Sequence, residues 1–404
     1  MKVLQVNCVY RKGSTGAIVH DLHTQLLELG IESVVCYGRG AQIQEEKVHK
    51  VCGELYSKFN NLLTRFTGMM YGGCFFSTGR LLHVIRKEKP DIVHLHCING
   101  YFVNIYRLLR YLKKHRIPTV VTNHAEFFYT ANCGHAHECD KWLTGCGACP
   151  RLRQETKSIL IDGTKRSWNA MKRAFAGSED VFAVTSVSSW LQERAMQSPM
   201  LARHPHTVVL NGVDTQVFTH QEEKPAVYST IPEDKKLVLH VTARFGDPNK
   251  GGKYVIELAR RLGEDYRILL AGNDLPSEVP SNVICLGTIK SREALAQLYA
   301  ACDVTVLTSK RETFSMICAE SLCCGTPVVG FRAGGPESIA LPQYSEFCDY
   351  DDLQALEELV RLWAARPKTD DCWQKAHKAY DKKNMAKNYL TVYEELLRSV
   401  GGKQ

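Results

Sequence analysis

The sequence predicts an α/β protein made of two doubly wound domains with parallel sheets. Short apolar, β-branched segments alternate with longer stretches of helical periodicity, which is typical of βαβ units. The alternation runs twice through the 404 residues, a length that exceeds what one compact core requires. The strand-like segments are KVLQVNC, ESVVCY, DIVHLH, PTVVTN, DVFAVTS and HTVVLN in the first half, and KLVLHVTA, YRILLAG, NVICLG, CDVTVLTS and TPVVGF in the second.

The two halves are expected to join at a polar linker. Residues 215–236 contain two prolines and show no sustained periodicity. We therefore predict one domain over residues 1–215, a second over 216–385, and a final helix over 386–404 that could return to the first domain. Ligands of such domains bind at the carboxyl ends of the strands.

Charge and composition narrow the class of protein. Residues 1–220 carry 27 Lys and Arg against 17 Asp and Glu, and the whole chain has a net charge of +8. A basic half favours an acidic partner. No apolar run approaches the roughly 18 residues of a membrane-spanning helix, and the N-terminal residues resemble a strand rather than a signal peptide. We expect a cytoplasmic protein.

A glycine-rich turn follows the first predicted strand. Gly13, Ser14, Thr15 and Gly16 stand where a helix should begin, so their backbone N–H groups could bind a phosphate or an acceptor hydroxyl. The turn lacks the P-loop lysine and a complete dinucleotide fingerprint. A purely structural strand-to-helix turn is the alternative.

Two glutamates in the second half stand about two helical turns apart. Glu312 and Glu320 fall within SKRETFSMICAESLCCGTPVVGFRAGG, directly after the segment CDVTVLTS. Both could face one ligand if a loop-to-helix junction lies between them. The N–H groups of Thr313, Phe314 and Ser315 at that junction would then meet a diphosphate. The alternative for two such carboxylates is a solvated helix face.

This glutamate pattern, with CGTPVVGF and AGGPES after it, resembles the nucleotide-sugar-binding motif of the retaining glycosyltransferases of family 4. Further similar stretches are VVLNGVDTQVF, RFGDPNKGG, DIVHLH and TNHAEF. The resemblance covers nearly the whole chain. It implies the GT-B fold, in which two Rossmann-like domains face each other across a cleft, with the acceptor held by the first and the nucleotide sugar by the second.

The resemblance also implies roles for individual residues. Glu320 would hold the ribose hydroxyls of the donor and Glu312 a hydroxyl of the transferred sugar. Lys250 and Arg244 would neutralise the charge on the leaving diphosphate, as a metal ion does in other enzymes. His124 would lie beside the sugar C6 hydroxyl, whereas His94 and His96 are expected to be structural. The implied catalytic residues are His124, Lys250 and Glu312, and the implied donor-binding residues are Gly16, Arg244, Lys250, Glu312, Thr313, Phe314, Ser315 and Glu320.

The function implied is transfer of a sugar from a UDP- or GDP-sugar to a glycan or polyprenyl-diphosphate-linked acceptor. Retention at the anomeric carbon, no cofactor requirement in catalysis, and a part in bacterial surface polysaccharide synthesis belong to this expectation. A nucleotide-sugar 2-epimerase or a sugar phosphorylase on the same fold is one alternative. A zinc-bearing nucleic-acid-binding module is another, but the excess of basic charge is modest and is not interleaved with aromatic residues. We expect no nucleic-acid partner.

Four of the sixteen cysteines are grouped in one segment, TANCGHAHECDKWLTGCGACP, within residues 130–150. Cys133, Cys139, Cys146 and Cys149 include one CxxC pair and predict a structural zinc site. Disulfides and plain packing are the alternatives. A similar cysteine-bearing insertion occurs in the colanic-acid-type members of the family that the chain resembles.

Three segments of the first half mix apolar and basic residues at helical spacing. They are LYSKFNNLLTRFTGMMYGG, GRLLHVIRKEKP and YRLLRYLKKHR. Helices of this composition lie on anionic membranes, so we expect peripheral contact with the inner face of the cell membrane. An amphipathic helix packed on the sheet, with its lysines in water, is the alternative for each segment.

Overall fold

The computed structural model describes residues 1–221, 225 and 231–402. The chain divides into two compact units, one formed by residues 1–210 and 385–402 and the other by residues 211–384. The linker predicted over 215–236 falls partly on residues 222–224 and 226–230, which lie outside the described residues.

The first unit contains a seven-stranded parallel sheet in the order β3-β2-β1-β4-β5-β6-β7. Its strands are β1 (Lys2–Asn7), β2 (Glu32–Tyr37), β3 (Val48–Lys50), β4 (Ile92–Leu95), β5 (Thr119–Asn123), β6 (Phe182–Ser186) and β7 (His206–Val208). Its helices are α1 (Gly13–Glu28), α2 (Glu54–Thr67), α3 (Phe75–Glu88), α4 (Ile105–Lys114), α5 (Phe127–Thr130), α6 (Lys141–Thr144), α7 (Leu152–Glu155), α8 (Thr164–Phe175) and α9 (Ser189–Gln197).

The second unit contains a six-stranded parallel sheet in the order β10-β9-β8-β11-β12-β13. Its strands are β8 (Lys236–Thr242), β9 (Tyr266–Gly272), β10 (Val283–Gly287), β11 (Val304–Leu307), β12 (Val328–Phe331) and β13 (Ser345–Cys348). Its helices are α10 (Gly252–Leu262), α11 (Arg292–Ala301), α12 (Met316–Cys323), α13 (Gly335–Ile339), α14 (Leu353–Ala364) and α15 (Asp370–Tyr380), and the last helix of the chain is α16 (Lys382–Gly401).

The strand order of each sheet creates one switch point. Strand β1 has β2 on one side and β4 on the other, and β8 likewise lies between β9 and β11. The chain therefore leaves these neighbouring strands in opposite directions, and their carboxyl ends open a crevice in which doubly wound domains bind ligands. The eleven strand segments predicted from the sequence are confirmed. Strands β3 and β13, which are short and carry polar residues, were not predicted.

The last helix, α16, forms hydrogen bonds with polar side chains of the first sheet. Tyr389 and Tyr393 of α16 are fully buried. The Tyr393 hydroxyl bonds to His94 Nδ1 at 2.7 Å, and the Tyr389 hydroxyl to Thr122 Oγ1 at 3.3 Å. Since buried polar groups need partners, these tyrosines satisfy the side chains that β4 and β5 turn toward the helix.

Candidate functional site

Two loops meet at the switch point of the second unit. The loop after β8 leads to Lys250, and the loop after β11 leads to Glu312. Asn249 ties them together, because its carbonyl accepts the Lys310 N–H at 2.8 Å and its side-chain Nδ2 donates to the Arg311 carbonyl at 2.9 Å. The Thr308 hydroxyl donates to the Lys250 carbonyl at 2.8 Å. Lys250 is thus held in a fixed position against the second loop.

Glycine is required where these loops touch. Gly251 has φ +68°, and a Cβ there would lie 2.1 Å from the Thr308 carbonyl oxygen. Gly335 allows a similar approach, since its Cβ would lie 2.3 Å from the Thr313 carbonyl carbon. The absence of a side chain at Gly335, where α13 begins, therefore allows the segment after Glu312 to pack directly on this helix start.

An ion pair stands at the mouth of this crevice. Lys250 Nζ lies 2.5 Å from Glu312 Oε1, and the two side chains keep 27% and 20% of their surface exposed. The Glu312 backbone is fixed on both sides, because its N–H donates to the Ala333 carbonyl at 3.0 Å and its carbonyl accepts the Gly335 N–H at 2.9 Å. A partly exposed ammonium held by one carboxylate can transfer its attraction to an incoming anion.

The residues between the two glutamates form a helix start, as the motif predicts. Helix α12 begins at Met316, and Ser315 caps it by accepting the Cys318 N–H at 3.3 Å. Ser315 has φ +80°, a backbone conformation that residues other than glycine rarely adopt. The first N–H groups of a helix lack intrahelical acceptors and carry partial positive charge. Helix α12 therefore presents a favourable end to a phosphate group beside Lys250.

Glu320 lies one turn further along α12 and is chemically unlike Glu312. Burial raises the pKa of its carboxyl to about 7, opposed by the nearby Arg292 charge and by the hydrogen bond from Tyr299. The Tyr299 hydroxyl donates to Glu320 Oε2 at 3.4 Å. Arg292 and Tyr299, both on α11, are site neighbours that the motif did not reveal, since they enter through packing of α11 on α12.

If Glu320 holds the donor ribose, as the resemblance implies, its raised pKa should make nucleotide binding depend on pH. Only the ionised Glu320 carboxylate can accept two ribose hydroxyls, and it is the prevailing form above pH 7. We expect the affinity for UDP to fall by up to about tenfold for each pH unit below 7, as measured by calorimetry between pH 5.5 and pH 8. The dideoxy analogue, which has the same phosphates but no ribose hydroxyls, should lack this component. Parallel profiles for the two ligands would contradict the assignment.

Arg244 does not join the Lys250–Glu312 pair. Its side chain is 72% exposed, and its Nε lies 3.5 Å from Asp274 Oδ2. Asp274 follows β9, so Arg244 turns toward the neighbouring strand end rather than toward β11. The phosphate-neutralising role that the resemblance implies for Arg244 remains a prediction.

In the first unit the glycine-rich turn opens α1. Gly13 is the first residue of the helix and has φ +66°. The Gly16 carbonyl accepts the Arg11 N–H at 3.0 Å, and a Cβ on Gly16 would come within 3.1 Å of Val9 Cγ2. Gly16 thus closes the turn by tight packing, while Ser14 is exposed and Thr15 partly exposed.

His124 directly follows β5 and lies beside the buried histidines His94 and His96. Its Nε2 lies 3.1 Å from His96 Nδ1, and the His96 and His94 ring centroids are 3.8 Å apart, with the ring planes tilted by 35°. Burial lowers the pKa of His124 to about 4 and holds the pKa values of His94 and His96 well below the usual range. His124 is therefore neutral at pH 7 and can offer a hydrogen bond, but not a charge. His96, expected to be structural, is its hydrogen-bond partner.

A buried carboxylate two residues beyond His124 was not predicted from the sequence. Glu126 is fully buried and lies 3.1 Å from Arg194 on α9, and the Arg194 guanidinium also stacks over Trp142 and Trp190. Because a buried charge needs a partner, Arg194 fixes the chain where it leaves β5. The TNHAEF stretch offered the acid, but its partner lies 68 residues away.

The zinc site predicted from the grouped cysteines stays a prediction. All four are half-buried and free of disulfides. Cys146 Sγ donates to the Thr130 carbonyl at 3.8 Å, and the Cys149 backbone N–H donates to Asp162 at 2.7 Å. Among the described residues no group of three or more His, Cys, Asp or Glu side chains is arranged to hold a metal ion. The arrangement of Cys133, Cys139, Cys146 and Cys149 lends the zinc prediction no support.

Two doubly wound units, each with a parallel sheet and one switch point, have the architecture of the GT-B fold. The Glycosyltransferase Family 4 model matches residues 15–217, and the Glycosyl transferases group 1 model matches residues 221–380. The chain therefore belongs to glycosyltransferase family 4. This identifies it as a glycosyltransferase, the first of the functions considered from the sequence.

A curated relative agrees with this family, and two solved structures agree with the fold. The glycosyl transferase WcaC of Escherichia coli (strain K12), assigned to colanic acid biosynthesis, is 21% identical and aligns over 98% of this chain and 100% of its own length. Sucrose-phosphate synthase of Thermosynechococcus elongatus superposes with a TM-score of 0.70 at 15% identity, over 98% of this chain and 99% of that chain. HepE of Anabaena, solved with UDP-glucose, superposes with a TM-score of 0.63 at 14% identity, over 98% and 100%.

Proposed function

We propose that this glycosyltransferase moves a sugar from a nucleoside-diphosphate sugar to a hydroxyl of a glycan or polyprenyl-diphosphate-linked acceptor, with retention at the anomeric carbon. The observation that most directly supports this proposal is the Lys250–Glu312 ion pair, which lies at the β8/β11 switch point beside the start of α12. A cation and a helix N-terminus at one point suit a diphosphate leaving group. UDP is the favoured nucleotide because HepE was solved with UDP-glucose.

In this proposal the second unit binds the donor and stabilises the departing diphosphate. The bond between the anomeric carbon and the diphosphate oxygen breaks, and Lys250 with the first N–H groups of α12 stabilises the charge that develops there. Glu312 keeps Lys250 in place and accepts a sugar hydroxyl, while Glu320 accepts the ribose hydroxyls. The acceptor oxygen bonds to the same face of the anomeric carbon, and its proton passes to the departing phosphate.

The first unit is proposed to bind the acceptor. Neutral His124, oriented by His96, offers a hydrogen bond to a sugar hydroxyl without adding charge. The turn over Gly13, Ser14, Thr15 and Gly16 exposes hydroxyl and N–H groups at the carboxyl end of β1. WcaC is assigned to colanic acid biosynthesis, which favours a role in bacterial surface polysaccharide synthesis.

A panel of nucleotide sugars tests the donor class. UDP-, GDP-, ADP- and dTDP-sugars are added in a thermal-shift measurement, and a ligand at a hundred times its dissociation constant should stabilise the protein by about 2.7 kcal/mol. The anomeric configuration of the transferred sugar is then read by NMR. A protein stabilised by none of the four, or a product of inverted configuration, would contradict the proposal.

Transfer is expected to need no divalent ion, because Lys250 and the N-terminus of α12 stabilise the negative charge on the departing diphosphate. The rate of nucleoside diphosphate release should be the same with and without a chelator, and added Mg²⁺ or Mn²⁺ should change this rate little. An enzyme that stops with chelator and recovers on adding Mg²⁺ would show that Lys250 does not replace a metal.

A further inference from the structure

Helix α2 is oriented with its polar face inward. Its buried residues are Ser57, Asn60 and Thr64. The opposite face is apolar and exposed, with Leu55 at 83% and Phe59 at 55%. The whole apolar stripe consists of Leu55, Phe59, Leu62, Leu63 and Phe66, which at about 100° per residue fall on one side of the helix. A helix packed on a sheet normally shows the reverse arrangement.

Specific hydrogen bonds fix this orientation. The Ser57 hydroxyl donates to the Gly100 carbonyl at 3.1 Å, and Asn60 Oδ1 accepts the Cys74 N–H at 2.7 Å. Rotating α2 to bury its leucines would leave these buried groups without partners, at a cost that burial of apolar surface must exceed. The apolar stripe therefore faces outward in the folded unit.

Neighbouring segments extend the stripe into one surface. The loop 158–163 lies against the end of α2, because the Ile159 N–H donates to the Arg65 carbonyl at 2.8 Å. Gly68 and Gly163 permit this contact, since a Cβ on Gly163 would lie 2.0 Å from the Gly68 carbonyl oxygen. The docking surface is the α2 stripe together with Phe75 and Phe76 at the start of α3 and Ile159, Leu160 and Ile161, all of them exposed.

Basic side chains border the docking surface. Arg65, Arg153 and Lys157 line one shallow depression beside Ile159, and Lys58 flanks the stripe on α2. Within the described residues none of these four cations forms an ion pair. The acids closest in sequence are engaged elsewhere: Glu54 with Arg39, Glu155 with Arg151, and Asp162 with Thr164 and the Cys149 N–H.

We propose that this docking surface binds the surface of an anionic lipid bilayer. An exposed apolar stripe with unpaired cations along it matches acyl chains below a layer of negative headgroups. Of the three segments predicted to touch a membrane, only α2 has this form. The apolar residues of α4 (Ile105, Leu108, Leu109 and Leu112) are buried, as are Leu81, Leu82 and Ile85 of α3. No helix in the described part of the chain is long and apolar enough to cross a membrane.

The location of the docking surface gives it a use. The Ser57–Gly100 bond attaches α2 to the loop after β4, and Gly100 packs on Cys8 at the end of β1. The inner face of α2 thus adjoins the switch point of the first sheet, and the docking surface lies on the outer face of the same helix, about 10 Å away. A bilayer bound there would hold this crevice close to the headgroups, where a lipid-linked hydroxyl acceptor resides.

Sedimentation with vesicles tests the proposal and needs no nucleotide sugar, so its result is separate from that of sugar transfer. The full chain should sediment with vesicles containing phosphatidylglycerol and remain in solution with phosphatidylcholine alone. Leu55→Ser, Phe59→Ser and Leu160→Ser combined should lower the partition coefficient by about tenfold or more. Leu27→Ser, Leu29→Ser and Leu362→Ser combined, at three exposed leucines outside the docking surface, are the matched control, and this variant should bind as the parent does.

Charge-reversal variants measure the electrostatic contribution to vesicle binding separately from the apolar contribution. Lys58→Glu with Lys157→Glu should weaken binding at low salt, whereas Lys114→Glu with Lys387→Glu should not. High salt should weaken parent binding, because the Debye length falls from about 10 Å at 0.1 M to about 3 Å at 1 M. Thermal melting must match the parent for every variant.

Three results would overturn the proposal. Equal partition of the parent into both vesicle types would show that anionic lipid is not required. Binding of the docking-surface variant at the level of the matched control would show that this surface is not the contact. A dimer in light scattering that this variant converts to a monomer, with no binding of the parent to vesicles, would show that the surface is a contact between two copies of this chain.

Discussion

Replacing Lys250 by alanine should lower turnover by about 10²–10³-fold, or roughly 3–4 kcal/mol of transition-state stabilisation. The Lys250 ammonium lies 2.5 Å from Glu312 and stays partly exposed, so it can face a developing negative charge without moving. Ground-state binding of the nucleotide sugar should change less, because the charge on the leaving oxygen is complete only as the bond breaks. Turnover and the donor KM, measured separately, distinguish these effects.

Lys253→Ala is the matched control for Lys250→Ala. Lys253 lies on the first turn of α10, three residues after Lys250, and its ammonium sits 4.6 Å from the Tyr254 ring centroid. Its loss removes the same unit of charge from the same region. If both variants lose turnover equally, net charge rather than the Lys250 position matters. If Lys250→Ala works at the parent rate, the assignment of this site is wrong.

The fold could be predicted from the sequence because each strand is encoded by the composition of its own short segment. Runs such as KVLQVNC and KLVLHVTA are long, apolar and β-branched, and buried parallel strands require that composition. The helix start after Ser315 is also encoded locally: the Glu312 and Glu320 spacing allowed a loop-to-helix junction between them, and the resemblance implied backbone donors at residues 313–314. The short strand Ser345–Cys348 carries too few apolar residues to show a strand period.

Pairings across the fold could not be predicted in this way. Arg244 stands near Lys250 in the chain but turns to Asp274, 30 residues away, because the loops after β8 and β9 emerge side by side. Arg194 reaches Glu126, and Tyr299 reaches Glu320, through contacts between helices that no local pattern encodes. Helix α2 is a further case in which partners distant in sequence decide the outcome. Its periodicity predicts an amphipathic helix, but only the partners of Ser57 and Asn60 decide which face is buried.

Replacing Glu320 by alanine should weaken UDP binding by about 30- to 150-fold, which corresponds to roughly 2–3 kcal/mol from hydrogen bonds to a charged acceptor. The carboxyl stands in low-polarity surroundings that raise its pKa to about 7, so its ionised form gains much by accepting ribose hydroxyls. Calorimetry at pH 8, where the carboxyl is ionised, should show the full loss. Turnover at saturating donor should change less than the affinity does, in contrast to Lys250→Ala.

The ribose itself provides the control for Glu320. A uridine diphosphate that lacks both ribose hydroxyls should bind the parent and the Glu320→Ala variant with similar affinity, since the contact in question is absent from both complexes. The interaction energy of this double cycle then isolates the carboxylate–ribose contact from any loosening of α12. Equal weakening of UDP and its dideoxy analogue would mean that Glu320 acts by holding α12 and Tyr299 in place, and the ribose would need another acceptor.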